Sequence, residues 1–142
     1  MTILDAYAVI AYLRGEASSG EVAELLREPT QLTAVNAAEV CDQMTRVFGR
    51  DPDSIEADLA LLAHSGMDML PVTPELAIGA GRIRARCYHC QHAAVSLADC
   101  IAAAAALTAG QPLATADPAL ATLVRAEGGH IHPLPGSNGQ RP

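Results

Sequence analysis

Residues 96–118 read SLADCIAAAAALTAGQPLATADP, and they contain a pattern that recurs along the chain. Ser96 is a typical helix N-cap, the alanine-rich run 97–108 predicts a helix that is buried nearly all round, and Gly110 ends that helix. A short apolar strand at 112–114 follows and stops just before an acidic residue that opens the next helix. Short apolar strands between helices predict a parallel sheet covered on both faces.

The same alternation extends from that stretch to both ends of the chain. Asn36 and Ser54 are the expected N-caps of two further helices. The sequence predicts one α/β domain over residues 1–134, a three-layer α/β/α fold with a central, mainly parallel sheet of about four or five strands. Residues 135–142, rich in Gly, Asn and Pro, are expected to form a flexible tail. Apolar runs predict strands at 2–4, 31–35, 67–72, 112–114 and 130–134, and helices at 6–13, 19–27, 37–48, 54–64, 74–90, 97–108 and 118–127.

The composition favours a core of closely packed helices with small side chains. Of the 142 residues, 28 are Ala, three are Tyr, one is Phe and none is Trp. This excludes a disordered chain and argues against an all-β sandwich. The longest apolar stretches, such as 100–107, are far shorter than the roughly 20 residues of a membrane span. With no export signal at the start, a cytoplasmic protein with reduced cysteines is expected.

The charge balance limits how the chain can bind nucleic acid. Sixteen acidic residues outnumber nine basic ones, all of them Arg, and the formal net charge is −7. The lack of Lys excludes every mechanism that needs one, including that of a receiver domain. A chain of this charge repels polyanions, so contact with nucleic acid requires a local basic patch or a bound cation.

Four carboxylates stand in markedly apolar surroundings: Asp5, Glu39, Asp99 and Asp117. Each has an ordinary structural interpretation as well. Asp5 and Asp117 are possible N-caps, while Glu39 three residues after Asn36 and Asp99 three after a serine fit the capping-box pattern. Taken singly, each residue is better explained as a cap than as a functional group.

Taken together, the four acids predict a shared site. In a parallel α/β sheet the carboxyl ends of the strands and the amino ends of the following helices open onto one edge. Several anions in an apolar cleft repel one another unless they are compensated, and no Lys is available. Carboxylates and water are the ligands that suit Mg²⁺, with Mn²⁺ as a substitute.

The order and settings of these acids resemble the PIN-domain ribonucleases, in particular the VapC toxins of bacterial type II toxin–antitoxin pairs. The likeness covers nearly the whole chain. It implies an α/β/α domain, a divalent metal, endoribonuclease activity, a homodimer and inhibition by a cognate VapB-type antitoxin. The motifs that carry it are Ile3-Leu4-Asp5 before an apolar helix, Glu39 after the second strand, Ser96-Leu97-Ala98-Asp99 before the alanine-rich helix, and Leu113-Ala114-Thr115-Ala116-Asp117.

By this resemblance Asp5 and Asp99 hold the principal metal directly, and Glu39 and Asp117 bind it through water or take a proton from that water. Thr115 is the expected side-chain partner that orients Asp5 or the water. Two departures from the family pattern stand out. Ala6-Tyr7 replaces the small hydroxyl residues that often follow the first acid, and Ala119-Leu120 stands where a further Asp and an aromatic residue are common.

Two further patterns are compatible with binding. Arg14, Arg82 and Arg86 are candidate RNA phosphate contacts, with a solvated helix face as the equal alternative. The Cys87-x-x-Cys90 pair could supply two zinc ligands, but two more would be needed. With no second such pair, an ordinary helix end with free thiols is favoured there.

Alternatives remain open for the function. One is a catalytically idle PIN-like module that binds RNA or a protein, with the acids serving only as caps. Another is an RNA-processing nuclease that is not a toxin. A dimer is plausible from the apolar helices between about Ile55 and Ile83, although the same residues would suit a monomer's core.

Overall fold

The computed structural model describes residues 1–88 and 94–142. Within this part of the chain, seven α-helices alternate with five strands. The strands are β1 (Thr2–Leu4), β2 (Thr30–Thr33), β3 (Met67–Leu70), β4 (Leu113–Thr115) and β5 (Ile131–Pro133). The helices are α1 (Ala6–Arg14), α2 (Ser19–Leu25), α3 (Ala34–Asp42), α4 (Pro52–His64), α5 (Pro74–Cys87), α6 (Leu97–Ala109) and α7 (Pro118–Ala126), and α3 continues into a π-helical turn, Gln43–Val47.

The five strands form one parallel sheet in the order β3-β2-β1-β4-β5. The predicted three-layer fold with a parallel central sheet is therefore confirmed. From β1 the chain adds β2 and β3 on one side and then returns to add β4 and β5 on the other. The order reverses between β1 and β4, and in parallel sheets ligands bind outside the strand ends at such a reversal.

Two apolar cores cover the two faces of the sheet. Ile3 and Leu4 are neighbours in β1, so their side chains point to opposite faces, and each is fully buried in a different core. Helices α1, α3 and α4 contribute to the core around Leu4, while α5, α6 and α7 contribute to the core around Ile3. In α6 every residue from Cys100 to Ala106 is buried, as the alanine run predicts.

Local capping moves two helix starts away from their predicted positions. Asn36 was expected as an N-cap, but the cap is Thr33, whose side chain accepts a hydrogen bond from the Asn36 amide at 3.2 Å. The strand consequently ends at Thr33 and α3 begins at Ala34. Ser54 is likewise not a cap, because Asp51 accepts from the Ser54 amide and Pro52 occupies the first helical turn.

The C-terminal residues contact the body of the domain. Arg141 forms an ion pair with Glu21 and donates to the Pro133 carbonyl at 2.6 Å. The Tyr7 hydroxyl donates to the Pro135 carbonyl at 3.1 Å. These contacts place the start of the tail beside α1, while the flexibility of residues 135–142 stays a prediction.

A candidate acidic site at the sheet reversal

The four predicted carboxylates line a single cavity of about 660 Å³. Asp5 follows β1 and Asp117 follows β4, the two strands between which the sheet order reverses. Glu39 comes from the middle of α3, and Asp99 comes from the first turn of α6. Residues that lie far apart in sequence thus meet at the strand ends, where the fold leaves a crevice.

Three of the four carboxylates also cap the starts of helices. Asp5 Oδ1 accepts from the Ala8 amide at 2.8 Å, and Asp117 Oδ1 accepts from the Ala119 amide at 2.7 Å. Asp99 Oδ2 accepts from the Ser96 amide at 2.7 Å and completes a capping box. In each case the capping hydrogen bond uses one oxygen of the carboxylate and leaves the other oxygen for a different partner. Capping and ligand binding are therefore compatible.

Glu39 has no capping role, because the helix begins at Ala34 rather than after Asn36. Its Oε1 accepts from Gln43 Nε2 at 2.9 Å, and its Oε2 is buried without a partner in the described structure. The fully buried Asn36 side chain lies three residues earlier on the same helix, close enough to lower the pKa of Glu39, although neither Asn36 Nδ2 nor Glu39 Oε2 has a partner at full hydrogen-bond geometry. A carboxylate oxygen that is buried without a donor is costly unless a ligand or cation satisfies it.

The pKa values of two of the acids are raised by their surroundings. Burial raises the pKa of Asp5 from 3.8 to about 7, and the charges of Asp99 and Asp117 add to this effect. Hydrogen bonding from Thr115 and from the Ala8 amide opposes the rise. Burial and then the charge of Asp99 raise the pKa of Glu39 as well. The site holds negative charge at close quarters, which favours a cation.

The donor set fits a hydrated magnesium ion. Among the described residues, no group of three or more His, Cys, Asp or Glu side chains stands close enough to hold one metal directly. Mg²⁺ does not require such a cage, because it keeps several of its waters and is commonly bound by one or two carboxylates and a substrate phosphate. The unpartnered Glu39 Oε2 and the raised pKa of Asp5 are the features that such an ion would relieve.

Thr115 lies behind the cavity rather than in its lining. It is fully buried at the end of β4, and its hydroxyl accepts from the Asp117 amide at 3.0 Å. Its effect on the pKa of Asp5 places it beside both strand-end carboxylates. A role for this side chain in orienting Asp5 stays a prediction.

The three candidate RNA-binding arginines lie in different surroundings. Arg86 forms an ion pair with Glu127 at 2.7 Å, whereas Arg82 is exposed on α5. Arg14 pairs with Glu16, which itself lines the cavity. Among the lining residues in the described part of the chain, none is an arginine.

A second cavity of about 690 Å³ lies among α1, α2 and α4. Asp58 is the one acid among its lining residues in the described ranges, and it pairs with Arg50 at 3.0 Å. This cavity therefore lacks a group of carboxylates that could bind a cation, and the acidic cavity remains the chemical centre.

The zinc alternative depends on residues that the structure does not describe. Cys90 and its neighbours His89 and His92 lie outside the described residues. Cys87 is a free, half-buried thiol whose Sγ donates to Glu127 at 3.5 Å. Cys41 and Cys100 are free as well.

Sequence reasoning missed several side chains that line the acidic cavity: Tyr7, Glu16, Gln43, Phe48 and Ser137. Gln43 could have been predicted to line the cavity, because it follows Glu39 by one helical turn. Phe48 could not have been predicted, because the π-helical turn before it changes which face of the helix it occupies.

Residues 2–125 match the family model described as PIN domain. No curated protein sequence matches the chain. No helix among the described residues has the length and apolar character needed to cross a membrane.

Several solved structures share the fold. VapC20 of Mycobacterium tuberculosis, titled a sarcin–ricin loop cleaving toxin, is 16% identical with a TM-score of 0.67, over 86% of this chain and 94% of that one. VapBC2 of Rickettsia felis, bound to a promoter DNA fragment, is 14% identical with a TM-score of 0.67, over 92% and 96%. FitAcB of Neisseria gonorrhoeae is 21% identical with a TM-score of 0.63, over 92% and 96%. At these identities the likeness shows the fold alone.

Proposed function

Because residues 2–125 match the PIN-domain model and the chain therefore belongs to the PIN-domain family, we propose that it is a Mg²⁺-dependent endoribonuclease, the toxin of a type II toxin–antitoxin pair. The observation that carries the proposal is the convergence of Asp5, Glu39, Asp99 and Asp117 on one cavity at the sheet reversal. The likeness to solved toxin–antitoxin structures supports the toxin assignment.

In this proposal Asp5 and Asp99 would hold Mg²⁺, Asp117 would contribute through water, and Mn²⁺ would serve as a substitute ion. A bound divalent ion supplies charge neutralisation at the phosphate and makes water a stronger acid. Without it, a cavity lined by carboxylates and no arginine repels the RNA backbone.

Glu39 is the proposed proton acceptor. The water oxygen attacks phosphorus and its proton passes to Glu39, while the bond from phosphorus to the leaving oxygen breaks and that oxygen takes a proton from solvent water. Burial and Asp99 raise the pKa of Glu39, which makes it a better base than an ordinary carboxylate. Gln43 donates to Oε1 and so orients the carboxylate that receives the proton. Thr115 acts as a positioning residue for Asp5.

The test is cleavage of end-labelled tRNA and rRNA fragments in Mg²⁺, in Mn²⁺ and in EDTA. Asp99→Asn should abolish cleavage while retaining the fold, because an amide oxygen can still accept from the Ser96 amide. Asp51→Asn is the matched control, since Asp51 caps α4 outside the cavity. We expect metal-dependent cutting by the wild type and Asp51→Asn.

Equal cutting by Asp99→Asn would refute the assignment of this cavity. No cutting in any metal, together with no heat of Mg²⁺ binding by calorimetry, would favour the idle binding module. The position of the cuts would name the RNA target, whose selection depends on groove shape and loops.

The proposed partners are an antitoxin of the VapB type and a second copy of the chain. Exposed apolar side chains between Ile55 and Ile83 support the dimer, among them Leu61, Met69 and Ile78. Co-expression with the product of an adjacent small gene should give a stable complex that no longer cuts RNA. A monomer by light scattering would refute the dimer, and cutting that is unaffected by the small protein would refute the pairing.

A further inference from the structure

Phe48 is the only phenylalanine of the chain, and it lies at the rim of the acidic cavity with 37% of its surface exposed. The π-helical turn Gln43–Val47 comes immediately before it. A π-helical turn contains one residue more than an α-helical turn, so it rotates the following side chains by about 100° around the axis. Such turns recur at functional sites. Gln43 faces the cavity because it lies one helical turn after Glu39, and the π-helical turn then brings Phe48 to the same cavity.

Arg14 from the end of α1 stacks on this ring. Its guanidinium carbon lies 3.5 Å from the ring centroid, and its Nε donates to Glu16 at 2.5 Å. The Glu16 carboxylate offsets most of the arginine's charge and holds the guanidinium plane in place. Arg14 thus covers one face of the Phe48 ring, and the Arg14–Glu16 pair that backs the ring is nearly neutral overall.

The charges of this chain offer little attraction for the RNA backbone, whereas a nearly neutral stacking surface binds RNA without such attraction. The net charge is −7, and at least six of the nine arginines are paired with carboxylates: Arg14, Arg27, Arg46, Arg50, Arg86 and Arg141. Phosphate contacts are therefore a weak source of affinity near the acids. Stacking of bases on aromatic rings and on arginine planes supplies affinity that does not depend on net charge.

We propose that Phe48 and Arg14 form a nucleobase-binding platform, which stacks an unpaired RNA base next to the phosphodiester held by the acids. This deepens the proposed function and rests on RNA being the substrate. The platform makes Phe48 a substrate-binding residue and gives Arg14 a role other than the phosphate contact expected from the sequence.

The test measures binding rather than cleavage. The probe is a fluorescein-labelled single-stranded RNA of mixed sequence and about 12 nucleotides, compared with a probe of the same length whose central nucleotides lack bases. Anisotropy is recorded in Mg²⁺ with Glu39→Gln as background, because loss of the proposed proton acceptor keeps the probe intact while Asp5 and Asp99 remain to hold the ion. Phe48→Ala should weaken binding of the complete RNA about tenfold with an unchanged salt slope, since stacking contributes on this scale per base. It should change binding of the abasic probe little, and Phe48→Tyr should retain affinity.

Val47→Ala is the matched control, because Val47 is the preceding exposed apolar residue and does not line the cavity. Thermal melting shows whether each variant is folded, and retained affinity of Phe48→Tyr shows that substitution at this position does not by itself disrupt the fold. Wild-type-like affinity of Phe48→Ala, an equal loss on the abasic probe, or no RNA binding by the parent would each overturn the platform. Unchanged RNA affinity with loss of a dimer would overturn it too and assign the ring to a protein contact.

The two proposals fail separately. If the wild type cuts RNA but Phe48→Ala in the inactive background binds it normally, the platform fails and the nuclease stands. If no metal supports cutting but Phe48→Ala still loses base-dependent affinity, the nuclease fails and the platform stands.

Discussion

Replacing the buried Asp5 by Asn should stabilise the metal-free protein, and the gain should grow with pH. The substitution is isosteric, and the new amide oxygen can keep the hydrogen bond from the Ala8 amide at 2.8 Å. What it removes is a carboxylate whose pKa rises from 3.8 to about 7 on folding, chiefly through burial. A rise of about three units corresponds to roughly 4 kcal/mol between the two protonation states.

The sign follows from proton linkage. Between pH 3.8 and about 7 the folded wild type binds more protons at Asp5 than the unfolded chain does, so its stability falls as the pH rises through this range. Less than half of the loss of roughly 4 kcal/mol has occurred at pH 5, and nearly all of it has occurred at pH 8. Asn does not titrate, so the advantage of Asp5→Asn should increase by about 2 to 3 kcal/mol from pH 5 to pH 8.

The assay is urea unfolding followed by circular dichroism at both pH values in EDTA, for wild type and variant in parallel. Other titrating groups then cancel in the difference. Asp42→Asn is the control, because Asp42 is exposed and its hydrogen bond and ion pair with Arg46 lower its pKa, so this variant should gain nothing. A gain for Asp5→Asn that is absent at pH 8, or equal at both pH values, would refute burial as the cause. Mg²⁺ should raise the melting temperature of the wild type at pH 8 more than that of Asp5→Asn.

Four shorter predictions concern packing, capping and reactivity. Gly129→Ala should lower the free energy of unfolding by about 1 to 3 kcal/mol in urea titrations, because the new methyl would lie 2.8 Å from Val124 Cγ1 and 3.2 Å from the Val124 carbonyl. Gly20→Ala, in α2 with nothing within 4 Å of the new methyl, should instead raise it by up to about 1 kcal/mol. Asp117→Ala should lose about 1 kcal/mol through its cap on α7, whereas Asp117→Asn should lose little, as thermal melting would show. Burial and the charge of Asp99 raise the pKa of Cys100 to about 11, so iodoacetamide at pH 8 should label it only after unfolding, as measured by mass spectrometry.

The succession of elements could be predicted because it depends on short-range patterns. Three of these patterns each span only a few residues and predict the local structure directly: the apolar strand before Asp5, the alanine run after Asp99 and the proline after Asp117. Errors arose where two nearby polar residues compete for one cap. Thr33 and Asn36 both suit an N-cap, and the ladder of β2, whose pairing with β3 runs to Thr33, decides in favour of the first.

The sequence by itself determined the class of fold, the alternation that leads to a parallel sheet, and three of the four acids at or near the starts of helices; Glu39 was expected there too but lies in the middle of α3. Only the tertiary structure decided that the strand order reverses between β1 and β4, and that the four carboxylates line one cavity there. It also decided that Phe48 and Arg14 meet across 34 positions of chain at a distance of 3.5 Å, and that burial raises the pKa of Asp5 to about 7. Hydropathy and capping act between residues a few positions apart, whereas desolvation, ion pairing and stacking depend on groups that only the folded chain brings together.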